Sequence, residues 1–241
     1  GLLAARLAEA GFTASPDAIE HPQGLLSAVS PKGETDRAAQ GLGERWRLAE
    51  EGLNIKKFPM CYCAHRAIDS LLALRQQRCL DPDDIEGITA HIGERFTTVL
   101  RNHAPKTGLE AKFSAEFAMA SAAIRGRVSL SELQDDFVMQ PEVQAMMQRV
   151  TVTKKPDDDP DHLNQALTEH VTVTLRSGEV LTGPAVQHAR GYAAEALTRR
   201  KKKEKFETCI DYAEADDIVA LDLFDRLMAM GDAPARGMLA A

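Results

Sequence analysis

The amino-acid sequence predicts an α+β fold in which a smaller α+β unit is inserted in a helical body. Three observations lead there. The chain opens in helical text (Leu2, Leu3, Ala4, Leu7) and closes on a stripe of Ile218, Leu221, Phe224 and Leu227 or Met228, the spacing that gathers apolar side chains on one helix face. Its middle alternates apolar and polar residues with period two, the strand signature. Between these stretches stand strong helix markers: Pro59, Ser114 and Gly126. The order of helices, then mixed α and β, then helices gives a helical segment at 1–51, an α+β unit at 52–188 and a helical return at 189–241.

Residues 2–10 and 37–51 read as helices around a loop rich in Pro, Gly and Ser, with Glu51-Gly52 closing the second. Pro59 fixes its own φ and biases Phe58 away from the helical region, so the next helix begins around or after it. The spacing of Ala64, Ile68, Leu71 and Leu72 predicts that helix over 61–77. Asp81-Pro82-Asp83-Asp84 is a turn, and Ile88, Ala90 and Ile92 then alternate with Thr89, His91 and Gly93 as a strand. Residues 101–108 form a polar, basic loop. Ser114 as N-cap, with Phe117 three residues on, starts a helix that Gly126 closes. Its run of small residues, Ala118 to Ala123, lets another backbone approach closely and predicts burial. Ser129-Leu130-Ser131-Glu132 has the form of a capping box for a short helix, and Pro141 opens another. Strands follow at 150–153 and 171–175. Ser177-Gly178-Glu179 turns the latter into Val180-Leu181-Thr182 as a hairpin, and helical text resumes after Gly191.

At 241 residues the chain is one or two domains with room for a sizeable core. Hydrophobic content of 44% with 27% charged residues describes a soluble globular protein. A net charge of −7 argues against nucleic acid as a partner, and the basic run Arg199 to Lys203 reads as a solvated helix face. No apolar run approaches the roughly 18 residues that a membrane span requires. Cys61, Cys63, Cys79 and Cys209 show no disulfide framework, which suits a reducing, cytoplasmic setting. Cys61-x-Cys63-x-His65 lacks the ligand spacing of a zinc site, so no metal is expected there.

The chemistry concentrates in Lys56-Lys57-Phe58-Pro59-Met60-Cys61-Tyr62-Cys63-Ala64-His65-Arg66-Ala67-Ile68-Asp69. Cations precede a helix start whose free N–H groups and positive dipole end favour an anion. Cys61, Tyr62 and His65 stand close by for proton transfer. A second island, Lys112-Phe113-Ser114, again places a cation before a helix N-terminus.

These two islands, in the form K-x-F-P-x-C-x-x-x-H-x-x-I-D and A-K-F-S before a small-residue helix, resemble the MmgE/PrpD family. That family includes 2-methylcitrate dehydratases, cis-aconitate decarboxylases and iminodisuccinate epimerases. Supporting matches are Ala8 to Thr13 with Gly24, the hairpin Val171 to Gly178, and Arg190-Gly191-Tyr192 followed by Lys205-Phe206, although Ala196 stands where the family has proline. The resemblance runs from about Gly11 to Phe206. It implies an all-helical domain with a smaller α+β lid, a site between them, a homodimer, and cofactor-independent chemistry on small di- or tricarboxylates. Family members are close to twice this length, so the chain reads as the C-terminal portion, with an N-terminal half supplied elsewhere.

The resemblance assigns Lys56 to a substrate carboxylate and leaves Lys57 as its solvated neighbour. Cys61 falls where some members place a histidine: a base if its pKa is lowered, a small hydrophobe if not. His65 reads as catalytic or as a structural neighbour of the site, with Asp69 one turn on to orient it. Lys112 and Ser114 are candidate substrate contacts, while Arg101, His103 and Lys106 lie on a basic loop. Phe117 stands at a position that carries a tyrosine in decarboxylases of the family. The function expected is a lyase or isomerase of the 2-methylcitrate dehydratase type, abstracting a proton next to a carboxylate. The alternatives are a non-catalytic member that binds a carboxylate or a partner protein, and a separately encoded subunit.

Overall fold

The computed structural model describes residues 1–30, 33, 40–162, 164–214 and 217–229. The chain divides into two compact units, Gly1–Gly52 and Leu53–Ala241. The first carries α1 (Leu2–Glu9), α2 (Leu25–Val29) and α3 (Arg47–Glu51). None of its described residues is buried. The expected helix over 37–51 is only partly realised: residues 37–39 lie outside the described residues, and Gly41 and Gly43 hold positive φ of 75° and 81°. Backbone in that region cannot continue a right-handed helix, so α3 starts only at Arg47.

The second unit contains α4 (His65–Arg78), β1 (Ile85–Gly93), α5 (Glu94–Val99), α6 (Gly108–Ala111), α7 (Ala115–Arg125), α8 (Asp135–Val138) and α9 (Pro141–Met147). These are followed by β2 (Val150–Lys155), β3 (His170–Leu175), β4 (Val180–Thr182), α10 (Arg199–Tyr212) and α11 (Asp217–Met228). Among the described residues the strands form one sheet in the order β2-β1-β3-β4. β1 and β2 run parallel, whereas β1–β3 and β3–β4 are antiparallel. A parallel pair needs a long crossover, and residues 94–149, carrying α5 to α9, supply it. The chain is therefore α+β with a mixed sheet.

The period-two reading of the strands holds. Ile88, Ala90 and Ile92 of β1 and Val171 and Val173 of β3 point into the core, where α4 and α7 cover that face of the sheet. α7 is buried from Ala115 to Ala123. Its alanines let α4 pack closely alongside, and Phe117 meets Phe137 edge-on at 6.2 Å. The Ser114 hydroxyl accepts the Phe117 N–H at 3.1 Å, and Gly126 ends the helix at φ 67°, a conformation glycine adopts without strain. Pro141 opens α9 as expected. Ser129 and Glu132 do bond one another, N–H to Oε2 at 3.0 Å, but they close a turn. Gln134 follows in extended backbone, so α8 begins only at Asp135.

In α10 the basic run is spent locally. Arg199 pairs with Asp225, Arg200 and Lys201 pair with Glu204, and Lys203 reaches Glu207 at 4.0 Å. Phe206 and Phe224 join α10 to α11 at 5.4 Å. Of the C-terminal stripe, the side chains of Ile218 and Leu221 lie outside the described residues. Phe224 is buried, whereas Leu227 and Met228 are exposed. Among the described residues no helix is long and apolar enough to cross a membrane.

On the far face of the sheet His91 and His170 stack at 4.3 Å, with Thr153 and Thr172 bonding His91 and Lys155 nearby. Burial lowers both rings below the ordinary histidine value, helped by Lys155 at His91 and by His91 and then Lys155 at His170. The unfolded chain therefore binds protons that the folded sheet resists, and stability rises with pH through the histidine range. Urea unfolding across that range should show stability falling on acidification, with a shallower slope in His170→Gln.

Candidate active site

Pro59 keeps the motif extended further than its apolar spacing suggests. Cys61 sits at φ −56°, ψ 131°, Tyr62–Ala64 form a single 3-10 turn, and α4 begins at His65. The Cys61 N–H is not free for an anion: it donates to the Lys112 carbonyl at 2.9 Å. That bond joins the two sequence islands, since Lys112 ends α6 and Ser114 caps α7.

Within the first island the Met60 carbonyl is the hub. The Lys56 ammonium donates to it at 3.3 Å, and His65 Nε2 lies 3.4 Å away. A carbonyl only accepts, so the His65 proton sits on Nε2. Nδ1 is buried without a hydrogen-bond partner. The ring is fully buried, 5.1 Å from both Phe58 and Tyr62. Burial, assisted by Lys56, lowers His65 to about 4, so it is neutral at physiological pH. Asp69 does not orient it. Its carboxylate accepts the Arg190 N–H at 2.7 Å and the Arg190 guanidinium at 2.6 Å instead.

Of the two motif thiols, Cys61 is the ionisable one. The neighbouring Cys63 thiol outweighs burial and holds Cys61 below the usual thiol range, with Lys56 adding to the effect. The same contact, with burial, pushes Cys63 up. Both readings of Cys61 keep a structural footing: its thiol is partly exposed, and its side chain packs against the edge of the hydrophobic core.

The second island is partly committed to structure. The Ser114 hydroxyl, besides capping α7, lies 3.3 Å from Glu116 Oε2. Glu116 Oε1 holds His103 at 2.7 Å, tying the basic loop to the α7 start. Asn102 N–H adds a bond to the Phe113 carbonyl at 3.1 Å. Lys112 is half-buried, and Arg101 and Lys106 are exposed. Phe117 is enclosed in the core. Lys56 and His65 thus converge through Met60, while Cys61 and Lys112 converge through a backbone bond. Ser114 stands two residues further on, with its hydroxyl occupied.

Several residues escaped sequence reasoning. Lys57 is not a solvated neighbour: its side chain is 20% exposed, its ammonium sits 5.0 Å over the Phe58 ring and 3.9 Å from Asp69. Burial, then Arg190, lowers it to about 8. It lines a cleft of about 350 Å³ that takes Phe58 and Pro59 from the motif but none of Lys56, Cys61 or His65. Arg66 and Glu169 form a buried pair at 2.9 Å, with Gly93 N–H also donating to Glu169 at 2.9 Å. The carbonyl of Ile55 packs against Gly191 where any Cβ would collide, and Ile55 N–H donates to the Gly191 carbonyl at 2.7 Å. That clamp holds the Arg190-Gly191-Tyr192 turn beside the segment leading into Lys56. The available signal was polar residues within an apolar helix: Arg66, Asp69 and Ser70 sit among Ala67, Ile68, Leu71 and Leu74 of α4. Among the described residues no group of three His, Cys, Asp or Glu is placed to hold a metal ion.

Because the folded His65 value lies near 4 and the unfolded one near 6.5, the unfolded chain binds the extra proton between them. Folding stability is therefore complete above the unfolded value and declines on acidification by roughly 3 kcal/mol at most. Urea unfolding of the wild-type chain and of His65→Gln over that interval should show the decline reduced in the variant. In a separate series, Ser114→Ala should cost about 1 kcal/mol through the lost cap.

Comparison with known proteins follows the same residues. The chain is 22% identical over 191 residues to cis-aconitate decarboxylase of Mus musculus, an alignment covering 77% of this chain and 37% of that protein. The chain thus spans little more than a third of the length of this relative. The model of the MmgE/PrpD C-terminal domain matches residues 58–224, which begins one residue after Lys57 and takes in Cys61, His65, Lys112 and Ser114. The chain belongs to the MmgE/PrpD family.

Proposed function

We propose that this chain contributes the C-terminal part of a cofactor-independent lyase or isomerase of the 2-methylcitrate dehydratase type, acting on a small di- or tricarboxylate. The observation that supports the reading is the junction of the two islands: the Cys61 N–H donates to the Lys112 carbonyl, and the Cys61 thiol is held below its usual range in part by Lys56. In this reading Lys56 and Lys112 hold substrate carboxylates, with Ser114 at the edge. Cys61 exchanges the proton on the carbon next to a carboxylate. Positive charge from Lys56 and Lys112 stabilises the enolate-like transition state. His65, neutral and enclosed, positions the Met60 carbonyl and through it the Lys56 ammonium.

A decarboxylase outcome is less favoured. The related mouse protein bears that name, yet Phe117 has no hydroxyl and is enclosed in the core, so no proton can come from that position. Dehydration and epimerisation share the proton-abstraction step and differ in whether a leaving group departs afterwards. We further propose that residues 52–188 act as a lid domain, that residues 1–51 and 189–241 belong to a helical domain, and that the assembly is a cytoplasmic homodimer. The exposed Leu2, Leu3, Phe12 and Trp46 of the first unit support a covering partner, the N-terminal half among the candidates. A non-catalytic, carboxylate-binding member remains the second reading, favoured by the cysteine at position 61 and the phenylalanine at 117.

Incubation of the full-length protein with a panel of polycarboxylates in deuterated water, followed by NMR, tests this. Deuterium should enter next to a carboxylate and be lost at least a hundredfold in Lys56→Ala, within the roughly 10²–10⁴ that a positioned proton-transfer apparatus contributes. Folded protein without exchange on any ligand would transfer the assignment to the binding reading.

A further inference from the structure

We propose that the cleft beside Lys57 is a second ligand site, taking a carboxylate that carries a compact apolar body. The cleft lies between the Lys57-Phe58-Pro59 segment, the turn after α7 and the first half of α10. Its floor is apolar, built from Phe58, Pro59 and Leu72 on one side and Val128 and Leu130 on the other. Its volume of about 350 Å³ falls within the range of small-molecule sites.

The rim decides the charge of the ligand. Four cations stand there, Lys57, Arg127, Lys201 and Lys205, against one carboxylate, Glu204. Two of the cations are already matched: Lys201 to Glu204 at 2.7 Å, and Arg127 to the buried Glu132 at 2.9 Å. Lys57 is not matched well. The nearest carboxylate, Asp69, lies 3.9 Å away with both oxygens committed to Arg190. Lys205 makes no ion pair among the described residues. A half-buried ammonium with excess positive charge around it is unfavourable, and a single carboxylate laid between Lys57 and Lys205 would relieve it. Glu204 on the same rim opposes a second negative charge on the ligand, and the two hydroxyls in the lining, Ser129 and Thr208, already donate to Glu132 and to the Glu204 carbonyl. The fit is therefore to a monocarboxylate with a hydrocarbon or aromatic tail, unlike the polycarboxylate proposed for the Lys56–Cys61 region.

The groups facing the Lys57 ammonium are Arg190, Asp69, Lys201 and Glu204. An anion that binds the protonated amine must lose affinity as pH rises through about 8, where that amine deprotonates.

The test is calorimetric titration of the 241-residue chain with hexanoate, hexan-1-ol, hexylammonium and citrate. Hexanoate should bind saturably, with the alcohol and the amine at least tenfold weaker. Lys57→Met and Lys205→Met should each weaken hexanoate about tenfold, and affinity should drop above pH 8 or so. Citrate should fail to displace hexanoate, which separates this cleft from the proposed reaction site. Equal binding of hexanol and hexanoate would reduce the cleft to a bare apolar groove, and displacement by citrate would merge it with the reaction site; either overturns the proposal, as does the absence of saturable binding. Should circular dichroism show Lys57→Met unfolded, the Lys205→Met variant and the pH profile decide between these outcomes.

Discussion

The second unit depends on the burial of the first two-thirds of α4. This helix is covered by α7, by β3 and by the 3-10 turn before it, and its first ten residues are almost all buried. It nevertheless carries Arg66, Asp69 and Ser70 into that environment. A buried charge without a partner costs several kcal/mol and a buried hydroxyl without one costs less but still disfavours folding, so each of the three dictates where another segment must lie. Arg66 draws Glu169 at the start of β3 and the Ala166 carbonyl. Asp69 draws Arg190. Ser70 donates to the Pro184 carbonyl and accepts the Val171 N–H. The chain from 166 to 190 is thus fastened along α4 by polar contacts that tolerate no slippage, while the apolar contacts supply the bulk of the burial energy.

That fastening has chemical consequences. Arg190 takes both oxygens of Asp69, so the carboxylate nearest Lys57 stands 3.9 Å away and is already paired. His65 is left neutral, and Lys57 is left in a half-buried setting with surplus positive charge. The short Phe58–Pro59 stretch consequently separates two cationic environments. One, containing Lys56, Cys61 and Lys112, is built around backbone carbonyls. The other, containing Lys57, opens on apolar side chains.

Much of the fold was legible because its signals are local. Ser114 and Gly126 fixed both ends of α7, since a cap depends only on residues a turn apart. Alternation at 88–92 and 171–175 assigned the inward faces of β1 and β3 correctly, since side-chain direction in a strand follows period two whatever the neighbours. Failures arose where a second local rule prevailed. Gly41 and Gly43 interrupted the expected helix, and the Ser129–Glu132 box closed a turn because extended Gln134 follows it. Pro59 postponed α4 by more than its apolar spacing indicated.

What the sequence by itself determined is the family, the α+β class and the two motif islands, because these rest on residue identity and short spacing. It could not say that β1 pairs with both β2 and β3, nor that Cys61 meets Lys112, since such contacts span some fifty residues or more and depend on chain closure. Only the tertiary structure decided which charges are spent. Asp69 serves Arg190 in place of His65, the Ser114 hydroxyl serves α7, and Lys57, adjacent to a motif lysine and read as solvated, is half-buried. A charge's behaviour is set by burial and by partners distant in sequence, and neither is written in the residues beside it.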